Sequence, residues 1–365
     1  MRQVLALPRL GIALLALTPL TLLAACSGKP TSSGPSPAAT DGGTKAGGTI
    51  KIGYVLHGLN DFTQVIKRGA EDAGKALGVD VEVVGPSSFE ATEAISQFEG
   101  MVQKKKDGLV VIPMPGEVWV KPIKEATSAG IPVVTANITS AGSDSATWFG
   151  QDEYQSGVTL ATELKKQLEA AGKKSGTILV GICKPGVAVL EERFKGFKKG
   201  MEGSAYTLTD PKDVGTENTA NYSAWENQAG KAPQIIAVVG LCSMDIPNLA
   251  KLKVKTKSTW FIAGYDLNQE TLDSIKAGTT QISIGQNPYL QGYLPVLALV
   301  QHLRDKKPLP AGWVNVGTEV VTKANVDSLY SRETDHAAET KWYAEHVEKN
   351  FKDLGALAKP VPPTH

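Results

Sequence analysis

The sequence predicts an α/β fold of two Rossmann-like lobes, each built on a mainly parallel sheet with helices on both faces. Three observations lead there. From residue 49 onward, short apolar runs alternate with amphipathic stretches of helical period, the pattern of successive βαβ units. The rhythm pauses near residue 150 and then restarts on a similar plan. The 365-residue length is long for one core and sufficient for two. Two such lobes leave a cleft between them, where small-molecule sites commonly lie.

The chain opens with Arg2 and Arg9, the apolar stretch Leu10–Leu23 broken by Pro19, and then Leu23-Ala24-Ala25-Cys26-Ser27. A basic start, an apolar core and small residues before a cut describe a secretory signal peptide over 1–25. The run is too short and too interrupted for a transmembrane anchor. The cysteine directly after the small residues resembles a bacterial lipobox, which implies that Cys26 becomes the lipid-modified first residue of the mature chain. Residues 26–48 are rich in Ser, Gly, Pro, Thr and Ala and read as a flexible tether.

Strand Ile50–Leu56 opens the folded body and leads to a helix over roughly 64–77. Val79–Val84 follows as a strand, Ala91–Lys105 as a helix with Ile95, Phe98, Met101 and Val102 on one face, and Leu109–Ile112 as a strand. Pro113-Met114-Pro115-Gly116 turns the chain into a helix over Val118–Ala129, and Ile131–Thr135 is the fourth strand. After the short apolar piece Thr147–Gly150, helices are expected at Gln155–Ala171, Val187–Met201, Thr219–Ala229, Ile246–Leu252 and Asn268–Ala277. The strands between them are Thr177–Ile182, Ala205–Thr209, Ile235–Gly240 and Thr259–Ala263, with Thr280–Gly285 as an edge element. A helix at Pro288–Leu303, a final strand region at Gly312–Val321 and an amphipathic tail helix at 333–352 complete the chain, the last offering Trp342, Tyr343, Val347 and Phe351 for docking.

Composition narrows the function. Apolar residues make up 42% and charged residues 21%, as in ordinary soluble globular proteins. The formal net charge is +1, and removing Arg2 and Arg9 with the leader gives +1 − 2 = −1, so there is no global basic field for nucleic acid. No phosphate-cradling GxxxxGK[ST] loop, HExxH or Gly-x-Ser-x-Gly elbow occurs. Paired carboxylates can always be assembled by folding, but nothing in the sequence marks an enzyme, and no cofactor is implied. Cys183 and Cys242 each follow an apolar strand and lack a matching His cluster, so a metal site is not expected. If their strands are neighbours, the two sulfurs share a sheet edge. A disulfide and two half-buried free thiols both remain open.

His57, Asn60, Asp61 and Phe62 lie where the chain leaves the carboxyl end of the first strand, the position at which open α/β sheets hold ligands. Polar groups beside one aromatic suit a small polar molecule. Asn60 and Asp61 could equally cap the following helix, His57 could be a satisfied loop histidine, and Trp119 serves packing as readily as a ligand.

Several local sequences then form a familiar series. They are Ile52-Gly53-Tyr54-Val55 with Asn60-Asp61-Phe62, Asp107-Gly108-Leu109-Val110-Val111-Ile112-Pro113, Ala129-Gly130-Ile131-Pro132-Val133-Val134, Glu192-Arg193-Phe194-Lys195-Gly196-Phe197, and Ile262-Ala263-Gly264-Tyr265-Asp266. In order and spacing, over about 49–325, the chain resembles the bacterial periplasmic sugar-binding proteins of the ribose/galactose-binding type, the solute receptors of ABC importers. The resemblance implies two lobes joined by three crossovers, with the first at 49–150 plus 286–311 and the second at 151–285 plus 312–325. It leaves 326–365 as a helical tail. It implies ligand contacts at Asn60, Phe62, Asn137, Gln151, Arg193, Tyr265, Asp266 and Gln286, with Gln151-Asp152, Gln286-Asn287 and the region near Gly312 as hinge passages. Where many relatives carry an Asp-Arg pair, this chain has Asn137 and Ile138, and Cys242 stands where relatives often have Asn. A bridged Cys242 would stiffen the rim without touching the ligand.

The implied protein is an extracytoplasmic, lipid-anchored monomer on the outer face of the bacterial plasma membrane. It would capture a sugar or polyol and pass it to ABC importer permease domains. The alternative is a receptor for a nucleoside, an autoinducer or another small polar ligand, or a sugar sensor serving a membrane kinase.

Overall fold

A computed structural model of the chain describes residues 48–231 and 234–365. The signal peptide, Cys26 and nearly all of the tether lie outside the described residues. The first half runs β1 (Lys51–Val55), α1 (Asp61–Leu77), β2 (Asp80–Val84), α2 (Ala91–Gln103), β3 (Gly108–Val111), a 3-10 turn (Gly116–Trp119), α3 (Val120–Ser128), β4 (Val133–Ala136), β5 (Thr147–Gly150), α4 (Glu153–Ala170), β6 (Gly176–Ile182), α5 (Ala188–Met201), β7 (Tyr206–Leu208) and β8 (Lys212–Asp213). It continues through α6 (Asn218–Lys231), β9 (Ile235–Gly240), α7 (Asp245–Thr256), β10 (Phe261–Tyr265), α8 (Gln269–Lys276), β11 (Ile282–Gly285), α9 (Pro288–Asp305), β12 (Gly312–Asn315), β13 (Glu319–Thr322), α10 (Val326–Thr334), α11 (His336–Asn350) and α12 (Leu354–Leu357).

The strands form two sheets. The first is parallel throughout, in the order β12-β5-β4-β3-β1-β2. The second has the order β13-β11-β10-β9-β6-β7, with β8 also paired to β6, and only β13 is antiparallel. Central strands such as Gly108–Val111 and Val133–Ala136 are buried at every residue, which is why they read as unbroken apolar runs.

Helices α1 and α9 cross on the first sheet, and α4 and α5 cross on the second. Both crossings depend on glycine. A Cβ on Gly292 would meet the Ile66 carbonyl oxygen, and one on Gly196 would meet that of Tyr154, so only the bare backbone lets each pair approach.

The chain passes between lobes three times: at Gln151–Asp152, at Gln286–Asn287, and at Val316–Thr318. The third passage falls later than expected. The resemblance places residues 312–315 in the second lobe, yet β12 pairs with β5 of the first sheet, with Trp313 stacked on Trp148 at 5.7 Å. The run Gly312–Val321 therefore holds two strands of different sheets. Its break is a turn in which Asn315 Oδ1 accepts from the Gly317 amide and Gly317 takes φ 88°. Residues 282–285 are likewise not an edge, because β13 covers β11.

The tail is part of the folded body. Helix α10 packs on α8 of the second lobe, while α11 lies on the first. Arg68 of α1 donates from Nε and Nη2 to the buried Glu339 carboxylate at 2.8 and 3.0 Å. Asp72 accepts from Tyr289 at 3.0 Å and from Thr340 at 2.8 Å. Tyr343 stacks on Tyr289 at 4.4 Å and is buried, as are Val347 and Phe351. Trp342 instead stays 37% exposed, with the Arg332 guanidinium over its ring at 4.4 Å. Arg332 also pairs with Glu319 of β13, so the tail engages both lobes.

Tyr343→Ala is expected to cost about 3–5 kcal/mol by opening a cavity against Tyr289, and Trp342→Ala about 1 kcal/mol or less. Urea unfolding of the two variants checks the difference.

Candidate functional site

The carboxyl ends of the two sheets face each other across the cleft, which encloses a cavity of about 90 Å³. Loops after β1, β2, β3 and β4 supply the first-lobe wall, and those after β6, β9 and β10 supply most of the second. Of the residues expected at the site, His57, Asn60, Phe62, Asn137, Arg193, Asp266 and Gln286 line this cavity.

One hydrogen-bonded array crosses it. Asn137 Nδ2 donates to Gln286 Oε1 at 3.2 Å, and Gln286 Nε2 donates to Asp266 Oδ1 at 2.8 Å. Arg193 donates from Nη2 to Gln286 Oε1 at 3.1 Å and from Nη1 to the Leu241 carbonyl at 2.9 Å. Its Nε and Nη2 also grip the buried Glu153 carboxylate at 2.6 and 3.1 Å. The guanidinium lies over the Tyr265 ring at 4.2 Å, and the Tyr265 hydroxyl bonds Ser156 at 3.0 Å.

Burial opposes the Arg193 charge, but the charge and hydrogen bonds of Glu153 outweigh it and raise the arginine's pKa further. For Asp266, burial dominates. It pushes the carboxyl up to about 6, against the lowering effect of Arg193 and the Gln286 hydrogen bond. Burial and Lys184 together lower His57 to about 4, so its imidazole is neutral at pH 7, and its Nδ1 is buried without a partner.

Local backbone geometry places two of these groups. Asn137 and Asp266 adopt φ 59° and 72°, left-handed conformations that Asn and Asp tolerate better than most residues. Each follows a strand end directly, so the turn presents the side chain to the cleft rather than continuing the strand.

Other expected contacts lie elsewhere. Trp119 is fully buried between α2 and the first sheet, edge-on to Phe98 at 5.6 Å, and its bulk serves the core. Tyr265 is wholly buried behind Arg193 and supports that side chain rather than covering a ligand face. Gln151 sits in the hinge, donating to Glu153 at 2.9 Å and accepting from Thr318 at 2.9 Å. Asp152 caps α4 through the Gln155 amide at 2.8 Å. Asp61 is an exposed first-turn residue of α1 outside the cavity, and α1 begins three residues earlier than expected. Asn60 does both jobs: it forms a capping box with Thr63 and also lines the cavity.

Cys183 and Cys242 form a disulfide that closes a 59-residue separation. A loop of that length corresponds to about 4 kcal/mol of stabilisation in the chain-entropy account. Both cysteines line the cavity, so the bridge is part of its wall and not only a stiffener of the rim.

Sequence reasoning missed Glu153, which holds Arg193, and the wall residues Phe89, Met114, Lys184 and Val189. The signal for Glu153 was faint: a carboxylate on the first turn of a helix normally reads as a favourable dipole partner.

Two α/β lobes joined by three passages around a polar cleft define a hinged small-molecule-binding protein. The chain matches the periplasmic binding protein domain over residues 52–307, and it belongs to that family. It is 26% identical over 297 residues to the xylose/arabinose-binding protein of Sulfolobus acidocaldarius, covering 76% of this chain and 72% of that one. It is also 26% identical over 259 residues to the ribose import binding protein of Bacillus subtilis, covering 70% and 82%. Its fold is similar to that of an ABC transporter solute-binding protein from Burkholderia graminis solved with D-arabinose. There the TM-score is 0.72 at 23% identity, covering 76% of this chain and 97% of that one.

Glu153→Ala would leave the Arg193 charge buried with its main partner gone. The expected cost is about 3–5 kcal/mol, whereas Asp152→Ala should cost about 1 kcal/mol as a lost cap. Denaturant midpoints of both variants, with far-UV circular dichroism to confirm folding, test the assignment.

Proposed function

We propose that this protein is an extracytoplasmic solute-binding lipoprotein that captures a sugar or polyol between its lobes and delivers it to an ABC importer. The observation that carries the reading is the array Asn137–Gln286–Asp266–Arg193, which lines an interlobe cavity with charged and amide groups. The two relatives, a xylose/arabinose-binding protein and a ribose import binding protein, support the ligand class. The cavity is far below the several hundred Å³ of drug-sized pockets, which suits one small ring.

In this reading the second Asp266 oxygen and Asn137 Oδ1 accept ligand hydroxyls, while Arg193 Nη1 and His57 offer further polar contacts. Phe62 covers a C–H face. Closure about the three passages buries the ligand, and the closed form docks on the permease. Cys26 carries the lipid, and the tether lets the body reach the transporter. The chain acts as a monomer, without cofactor or catalysis.

A thermal-shift screen against monosaccharides, polyols, nucleosides and amino acids tests the ligand class, because a ligand that binds only the folded chain raises its stability by mass action. A sugar or polyol is expected to shift the transition, and Arg193→Ala and Asp266→Ala to weaken its binding about tenfold or more. A shift by nucleosides or amino acids alone would overturn the reading.

Binding should also depend on pH. The folded pKa of Asp266, about 6, lies above the usual carboxylate value, so the ligand-free fold favours the protonated form. That stabilising contribution is fully present below about pH 4 and is lost as pH rises through about 6. A ligand hydroxyl donating to the carboxylate favours the charged form instead. Affinity by titration calorimetry is therefore expected to rise from pH 5 to 7 and then level off, and Asp266→Asn to flatten the profile.

A further inference from the structure

We infer that the ligand is a deoxy sugar, with its hydroxyls along one edge and an apolar carbon along the other; this rests on the sugar-binding reading above. The Asn137–Gln286–Asp266–Arg193 array is already largely occupied by its own hydrogen bonds. Gln286 Oε1 accepts twice, from Asn137 and Arg193, and its Nε2 donates to Asp266. Arg193 uses Nε, both Nη2 hydrogens and one Nη1 hydrogen on Glu153, Gln286 and Leu241. Beside the polar side chains of His57, Asn60, Lys184, Thr216 and Ser243 on the same cavity wall, the array itself leaves a short set toward a ligand: the second Asp266 oxygen, Asn137 Oδ1, one Nη1 hydrogen of Arg193 and the second Nε2 hydrogen of Gln286. These lie on one contiguous array and can serve two or three adjacent hydroxyls.

Another part of the wall offers nothing comparable. Met114, Ile138, Val187, Val189 and Leu190 line it together with the disulfide. Ile138 and Val189 also line a neighbouring cavity, under tail residues Val361 and Pro362, so they form a partition between two spaces rather than an opening to solvent. A ligand hydroxyl placed against this partition would lose water and gain no partner. A methyl or methylene there would bury apolar surface instead.

The charges argue for a neutral ligand. Arg193 and Lys184 contribute +2, Glu153 and Asp266 contribute −2 when ionised, and the sum is zero. Lys184 stands near the Phe89 ring at 5.7 Å.

Matched pairs that differ by one hydroxyl test this directly. Calorimetry on the full chain would compare L-fucose with L-galactose, L-rhamnose with L-mannose, and 2-deoxy-D-ribose with D-ribose. In at least one pair the deoxy member is expected to bind about tenfold tighter or more, the size of one stranded hydroxyl. Ile138→Asn supplies a partner at the partition and should narrow that ratio by improving the hydroxylated member. If fully hydroxylated sugars bind as tightly as their deoxy partners or tighter, the inference is overturned while the sugar-binding reading stands. If no sugar binds and a nucleoside or amino acid does, the sugar reading itself falls, and the inference with it.

Discussion

The buried pair between Arg193 and Glu153 is the interaction on which the cleft depends. Glu153 opens α4 directly after the first interlobe passage, and Arg193 comes from α5 of the same lobe. Gln151, in that passage, donates to Glu153 and accepts from Thr318, which lies in the third. Arg193 donates to Gln286, which lies in the second. One hydrogen-bonded chain thus runs through all three passages and ends on Asn137 and Asp266. Taking two charges out of water is costly, and only full hydrogen bonding compensates for it. Here the compensation spans both lobes, so the hinge and the binding surface share one set of contacts.

The tail adds a second connection between the lobes. Its two helices engage different bodies, α10 through Arg332 on Glu319 and α11 through Glu339 on Arg68. The Tyr343 hydroxyl donates to Asn287 at 3.3 Å, beside the second passage. Opening of the lobes must therefore proceed with these contacts kept or exchanged, and the tail belongs to the energetics of closure. It lies beyond residues 52–307, which match the family domain.

The cavity joins a rigid wall to a strained one. The disulfide fixes the ends of β6 and β9, while Asn137 and Asp266 hold left-handed backbone at the ends of β4 and β10. Such conformations cost about 1–3 kcal/mol each and persist where the surroundings over-determine them. Here the Asp266 carbonyl accepts from Ser283 at 2.6 Å and its amide donates to Ile284 at 2.8 Å. Preorganised side chains lose little freedom when a ligand arrives.

The sequence by itself determined the two-lobe α/β plan, because buried parallel strands must be apolar throughout and their helices must show a helical period. It also brought out His57, Asn60 and Phe62, since polar and aromatic groups at a strand end stand out against an apolar run, while Arg193, Asp266 and Gln286 came from the resemblance of its motifs to a known family. Tertiary structure decided what those patterns cannot encode. The break between β12 and β13 depends on which sheet each strand joins, and Gly312–Val321 reads the same in either case. Trp119 and Tyr265 look like ligand aromatics in sequence, and only packing sends one into the core and the other behind Arg193. Glu153 is an ordinary first-turn carboxylate until α5 crosses α4 at Gly196 and brings a guanidinium to it. The cleft's partners are separated by tens to more than a hundred residues, and no local signal spans that distance.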